Sequence, residues 1–145
     1  MSKNNGFTLV EMVMTMFLFV ITSYFLITSY TYQINKQKSY NVKNRIISAM
    51  NYVQKKSFID DKIYSISFNL DKKQIEYVDK VLKLDDVFLY ECRGKSNNFI
   101  RTITDKGNLD KGFTIIIKDK NNKVYDKISY NTTNGLNLAV LNHEN

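Results

Sequence analysis

Few side chains in this sequence stand where they could do chemistry. His143 is the only histidine, two residues from the C-terminus, and reads as a solvated tail residue rather than a base or metal ligand. Cys92 is the only cysteine, so neither a zinc set nor an intrachain disulfide can be built on it. Its setting, Val87 to Cys92, looks like a strand, where a thiol serves as a small core hydrophobe; an intermolecular disulfide is the sharper alternative. The carboxylate pairs Asp60-Asp61 and Asp85-Asp86 lack the spacing of a calcium loop and read as turn residues. The five glycines are dispersed, so no loop cradles a phosphate, and no Gly-x-Ser-x-Gly elbow occurs. No catalytic constellation, metal site or cofactor is expected, and the chain reads as a non-enzyme. One carboxylate remains conspicuous by its place. Glu11 heads Met12–Tyr30, an uncharged apolar run long enough to cross a bilayer as a helix. An ionised acid at the centre of such a helix costs about 2.5–3.5 kcal/mol, less near the interface, so Glu11 needs a partner.

Gly6-Phe7-Thr8-Leu9-Val10-Glu11 resembles the processing site of type IV prepilins and pseudopilins. The resemblance implies that a prepilin peptidase cuts between Gly6 and Phe7 on the cytoplasmic side and methylates the amino group of Phe7. Glu11 then becomes the fifth residue. A cationic amine and an anionic glutamate four residues apart can pair between neighbouring subunits in a helix bundle. Such a pair offsets two desolvation costs and sets the axial offset between subunits. The alternative is a plain signal-anchor helix whose glutamate is accidental. The implied organisation is a leader at 1–6, a transmembrane and polymerisation helix at 7–30, an amphipathic continuation at 31–57 and a globular domain at 58–145. The implied partners are other pilin or pseudopilin subunits, the prepilin peptidase, an assembly-platform membrane protein and the cytoplasmic membrane.

Composition bounds the rest. Of 145 residues, those after the apolar helix suffice for one small domain. The net charge is +7, and loss of Lys3 with the leader takes it to +6. Lysine supplies 18 of the 21 basic residues, scattered rather than blocked, which reads as a solvated surface before it reads as a nucleic-acid patch. Lys36, Lys38, Lys43 and Arg45 follow the apolar run, and the positive-inside rule alone would keep that side in the cytoplasm. The resemblance implies the reverse: a single-pass protein with its C-terminal domain outside, later carried in a pilus or pseudopilus.

Beyond Tyr30 the pattern turns amphipathic. Val42, Ile46, Ala49, Met50 and Val53 recur at helical spacing, with Lys43, Arg45, Asn51, Gln54 and Lys55 between them. No proline or glycine interrupts the chain from Phe7 to Ser57, so one long helix, or two broken near Tyr32–Ser39, is expected. Many pilins carry a kinking proline at the place of Thr28; this chain has none. After Ser57 the period becomes two. Strands are expected at Tyr64–Leu70, Ile75–Val78, Val87–Cys92, Phe99–Thr104, Phe113–Ile117, Val124–Tyr130 and Leu136–Leu141. The turns fall at Asp71-Lys72-Lys73, Asp105–Asn108, Asp119–Asn122 and Asn134-Gly135. The fold class is α+β, a long N-terminal helix packed on a small antiparallel sheet arranged as a meander. This order is similar to the H-type minor pseudopilins of type II secretion, to FimT-like minor pilins and to a minor pseudopilin of Gram-positive competence systems.

A second functional reading is a DNA-binding pilus-tip or membrane-anchored receptor module. Lys118, Lys120, Lys123 and Lys127 lie around one predicted hairpin, with Arg93, Lys95 and Arg101 on preceding strands or loops. Strand alternation places Lys123, Tyr125 and Lys127 on one side, where Tyr125 could stack on a base.

Overall fold

The computed structural model describes residues 8–94 and 96–132. Gly6, Phe7, Lys95, the Asn134-Gly135 turn, the Leu136–Leu141 strand and His143 lie outside the described residues. The chain divides into two compact units, Met1–Lys36 and Gln37–Asn145. One helix, α1 (Leu9–Asp60), supplies the first unit and opens the second, running on past the end near Ser57 that the sequence suggested.

In the first unit α1 is apolar on every side and shows its side chains outward, with Leu9 81% and Phe19 76% exposed. The helix is long and apolar enough to cross a membrane. Its hydroxyls are quieted locally. Thr15, Thr22, Ser23, Thr28 and Thr31 each donate to a carbonyl three or four residues back, at 2.7–3.1 Å. An apolar solvent would therefore meet no unsatisfied hydroxyl at these positions. Thr28, at the place of the missing proline, is one of them.

In the second unit the same helix is one-sided. Ser39, Val42, Lys43, Ile46, Ala49, Met50, Val53 and Ser57 are buried, a stripe at three- and four-residue spacing that contains every apolar position the periodicity singled out. The stripe shares its core with antiparallel sheet built from seven strands among the described residues: β1 (Tyr64–Asn69), β2 (Gln74–Tyr77), β3 (Lys80–Lys83), β4 (Leu89–Cys92), β5 (Asn98–Ile103), β6 (Phe113–Lys118) and β7 (Val124–Tyr130). All pairings are antiparallel. The α+β class holds, a long helix packed on antiparallel sheet.

The meander does not hold. The strands form two sheets, in the orders β3-β2-β1-β5 and β4-β6-β7. Alternation along a strand says which face is buried but not which strand lies alongside. Pairing is decided by packing between distant residues. Phe68 on β1 stacks on Phe99 of β5 at 4.7 Å, and Phe113 of β6 lies 5.0 Å from Phe68 and 5.1 Å from Tyr130 of β7. This aromatic cluster joins the two sheets and draws β5 back beside β1, while buried Leu84 and Phe88 carry the chain from β3 into the second sheet. β3 itself was not foreseen, because Lys80-Val81-Leu82-Lys83 is short and half charged.

Two glycines are required by geometry. Gly107 holds a φ of +75°, which closes the turn from β5 back onto Leu109. A Cβ at Gly112 would stand 2.8 Å from the carbonyl oxygen of Tyr130, so only glycine lets β6 begin this close to β7.

Candidate functional site

At its N-terminus α1 opens with a reciprocal cap. The Glu11 carboxylate accepts from the Thr8 backbone N–H at 2.9 Å and from the Thr8 hydroxyl at 3.0 Å. In return, Glu11 N–H donates to the Thr8 hydroxyl oxygen at 3.3 Å. The pattern is a capping box, and its signature, Thr8-x-x-Glu11, stands in the sequence. The charge of Glu11 therefore has local partners before any neighbouring chain arrives, and it lies at the positive end of the helix dipole, where an anion is favoured. Every large apolar residue from Leu9 to Tyr30 is exposed, so Glu11 stands at the head of a surface that the described part of this unit does not cover.

Of the described residues considered for nucleic-acid contact, Lys123 and Tyr125 meet, while Arg101 is buried and Lys118 is paired. Arg93 is exposed beyond β4, its backbone N–H bound to the Thr114 carbonyl. Arg101 is 7% exposed. Its guanidinium lies 4.8 Å from the Phe99 ring and 5.7 Å from the Phe113 ring, and Nη1 donates to the Ile100 carbonyl. It is a core arginine, held by aromatic faces and turned away from any phosphate. Lys118 pairs with Glu91 across the β4–β6 ladder. Lys120 is exposed in the β6–β7 turn.

A register shift at Ile117/Lys118, where Val124 pairs with Lys118 and Asp126 with Ile117, interrupts the alternation expected of Lys123, Tyr125 and Lys127, yet Lys123 Nζ still lies 5.8 Å from the centroid of the Tyr125 ring. Tyr125 is the extra residue, and its ring packs on buried Phe88 at 5.7 Å. Lys127 alternates with Asp126 and buried Ile128 instead.

The structure also brings out a pair that sequence reasoning missed. Lys43, read as a polar residue between apolar ones, is 2% exposed, and its Nζ lies 2.5 Å from Asp126 Oδ1. Its spacing from Ser39 and Ile46 puts it on the buried stripe, a signal that was available. Its partner, 83 residues away, had no local signature.

Residues 1–23 match the family described as the prokaryotic N-terminal methylation motif. The match covers both Gly6-Phe7 and the capped Glu11, and it supports a prepilin or pseudopilin identity for the N-terminal segment. No curated protein and no solved structure matches the chain.

Proposed function

We propose that this chain is a minor pilin-like structural subunit, held in the cytoplasmic membrane and assembled into a type IV pilus, competence pseudopilus or secretion-type filament. The observation that carries this reading is the methylation-motif match over residues 1–23, joined to an apolar helix whose side chains are exposed on every side. Prepilin peptidase cuts between Gly6 and Phe7 and methylates Phe7. The assembly platform then lifts the helix out of the bilayer into a bundle of like helices, with the C-terminal domain outside. In that bundle apolar burial drives packing, while Glu11 exchanges its Thr8 cap for the amine of an adjacent subunit. The matched motif is that of a structural family, in line with a non-enzyme.

The test has two arms. Gly6→Ser should leave an unshifted precursor on a gel; a matured product would sink the cleavage assignment. Glu11→Ala should mature normally yet be depleted from sheared filaments, and wild-type incorporation of that variant would end the pairing argument.

A further inference from the structure

From Met12 to Ile59, α1 carries no acidic residue, while Lys38, Arg45 and Lys55 stand exposed along its second half. Lys38, Asn41, Arg45, Ser48, Tyr52 and Lys55 follow one another at spacings of three and four, which places them in one stripe along the helix surface. Beside this stripe the β2–β3 hairpin forms the other wall of an open groove of about 580 Å³. Tyr77 and Lys80 are direct cross-strand partners and so share a face of the hairpin. Both line the groove, and no carboxylate does so among the described residues.

Tyr52 and Tyr77 meet edge to face, ring centroids 6.0 Å apart, and Lys80 Nζ sits 4.2 Å from the Tyr52 ring centroid. The turn that presents them is strained. Val78, β-branched, holds a φ of +52°, where bulky side chains are genuine outliers. Such strain persists where the surroundings over-determine it and gathers at binding sites.

We propose that this groove binds single-stranded nucleic acid, with phosphates along Lys38, Arg45, Lys55 and Lys80 and a base on the tyrosine pair. Lys80 is exposed, and moving its ammonium from the Tyr52 ring to a phosphate would uncover the ring for stacking. A second copy of this chain fits poorly, because a net charge of +7 would meet a cationic groove. An acidic peptide adding to the β3 edge would have to compete with Arg45, whose Nη2 already donates to the Lys83 carbonyl at 2.9 Å. The β6–β7 hairpin, the other cationic region, has Lys118 paired with Glu91, and its half-buried Tyr125 packs one edge on Phe88.

The test uses the full chain in a neutral detergent and a fluorescein-labelled oligothymidine long enough to span the stripe, read by fluorescence anisotropy. Four phosphate contacts predict a slope of log K against log salt of about −3 between about 50 and 200 mM salt. Lys80→Glu should weaken binding severalfold and flatten the slope. Tyr52→Leu should weaken it by roughly five- to a hundredfold without changing the slope, as loss of one stacked base does. Lys120→Glu, in the β6–β7 turn, should leave binding unchanged. Lys38→Glu combined with Lys55→Glu repeats the charge test on exposed positions, and far-UV circular dichroism checks that each variant is folded. No binding at about 0.1 mM protein, the weak limit of non-specific affinity, would overturn the proposal. So would a Lys120→Glu loss equal to that of Lys80→Glu, an unaffected Tyr52→Leu, or competition by polyglutamate as effective as by unlabelled oligothymidine.

Discussion

Lys43 shows how much one side chain can decide. A buried ammonium is costly to desolvate, and Asp126 is the carboxylate that offsets this cost. The pair ties the middle of α1 to β7. Removing one partner leaves the other uncompensated, so Lys43→Ala should destabilise the fold by about 3 kcal/mol in urea denaturation. Replacing both, as Lys43→Met with Asp126→Leu, should return stability to within about 1 kcal/mol of the parent, because an apolar pair of similar volume avoids the desolvation cost.

Tyr130 poses the opposite problem: its ring is buried, and its hydroxyl has no partner among the described residues. Burial pushes its ionisation well above the ordinary value of 10.0, and the Tyr90 phenol is pushed up in the same way. The folded state therefore holds these protons more tightly than the unfolded state does. That contribution is complete below about pH 10. It is lost as pH rises beyond, at up to about 1.4 kcal/mol per pH unit for each tyrosine. Tyr130→Phe removes an unsatisfied hydroxyl and one titrating group. It should be neutral or stabilising by up to about 1–3 kcal/mol at pH 7 and should flatten the alkaline limb of the stability profile.

At the level of elements, contacts that stop the chain are as decisive as those that extend it. Ser57 Oγ, near the end of α1, lies 2.5 Å from the Lys62 carbonyl oxygen and 2.6 Å from that of Thr104, its one proton shared between two acceptors that flank the start of β1 and the end of β5. Gly112 joins two strands by leaving room. Gly112→Ala should cost about 1–3 kcal/mol, because the clash is with backbone that cannot rotate aside; thermal melting of the variant checks it.

Legibility in the sequence divides along the same line. The apolar run, the stripe from Val42 to Val53 and most strands are periodic over neighbouring residues and could be read directly. The split into two sheets depends on Phe68, Phe99, Phe113 and Tyr130 meeting across 62 residues of chain, from Phe68 to Tyr130, and periodicity carries no trace of that. The burial of Arg101 is hidden for the same reason, since a lone arginine on a strand announces its charge and not the two rings beside it. The capping role of Glu11 was legible in Thr8-x-x-Glu11 but was eclipsed by the acid's awkward place in an apolar helix.

At the scale of the whole molecule the two units differ in kind: the second holds a hydrophobic core, and the described residues of the first form none. Among the described residues the hydrophobic core runs from Val42 to Tyr130 and includes none from the first unit. A chain beginning at Gln37 should therefore dissolve without detergent and melt cooperatively by circular dichroism; a non-cooperative melt would show that the apolar segment contributes to the fold. The full chain should need detergent or lipid to cover Leu9 through Tyr30.

Cys92, last, is 5% exposed within β4, and the sequence contains no proline. The fold therefore contains no intrachain cross-link to be oxidised or reduced and no prolyl bond to isomerise slowly. A domain made this way needs neither an oxidase nor a prolyl isomerase to reach its native state, and millimolar thiol should leave its melting curve where it was. It can mature in reducing and oxidising surroundings alike, so it is suited to a chain made in one compartment and used in another.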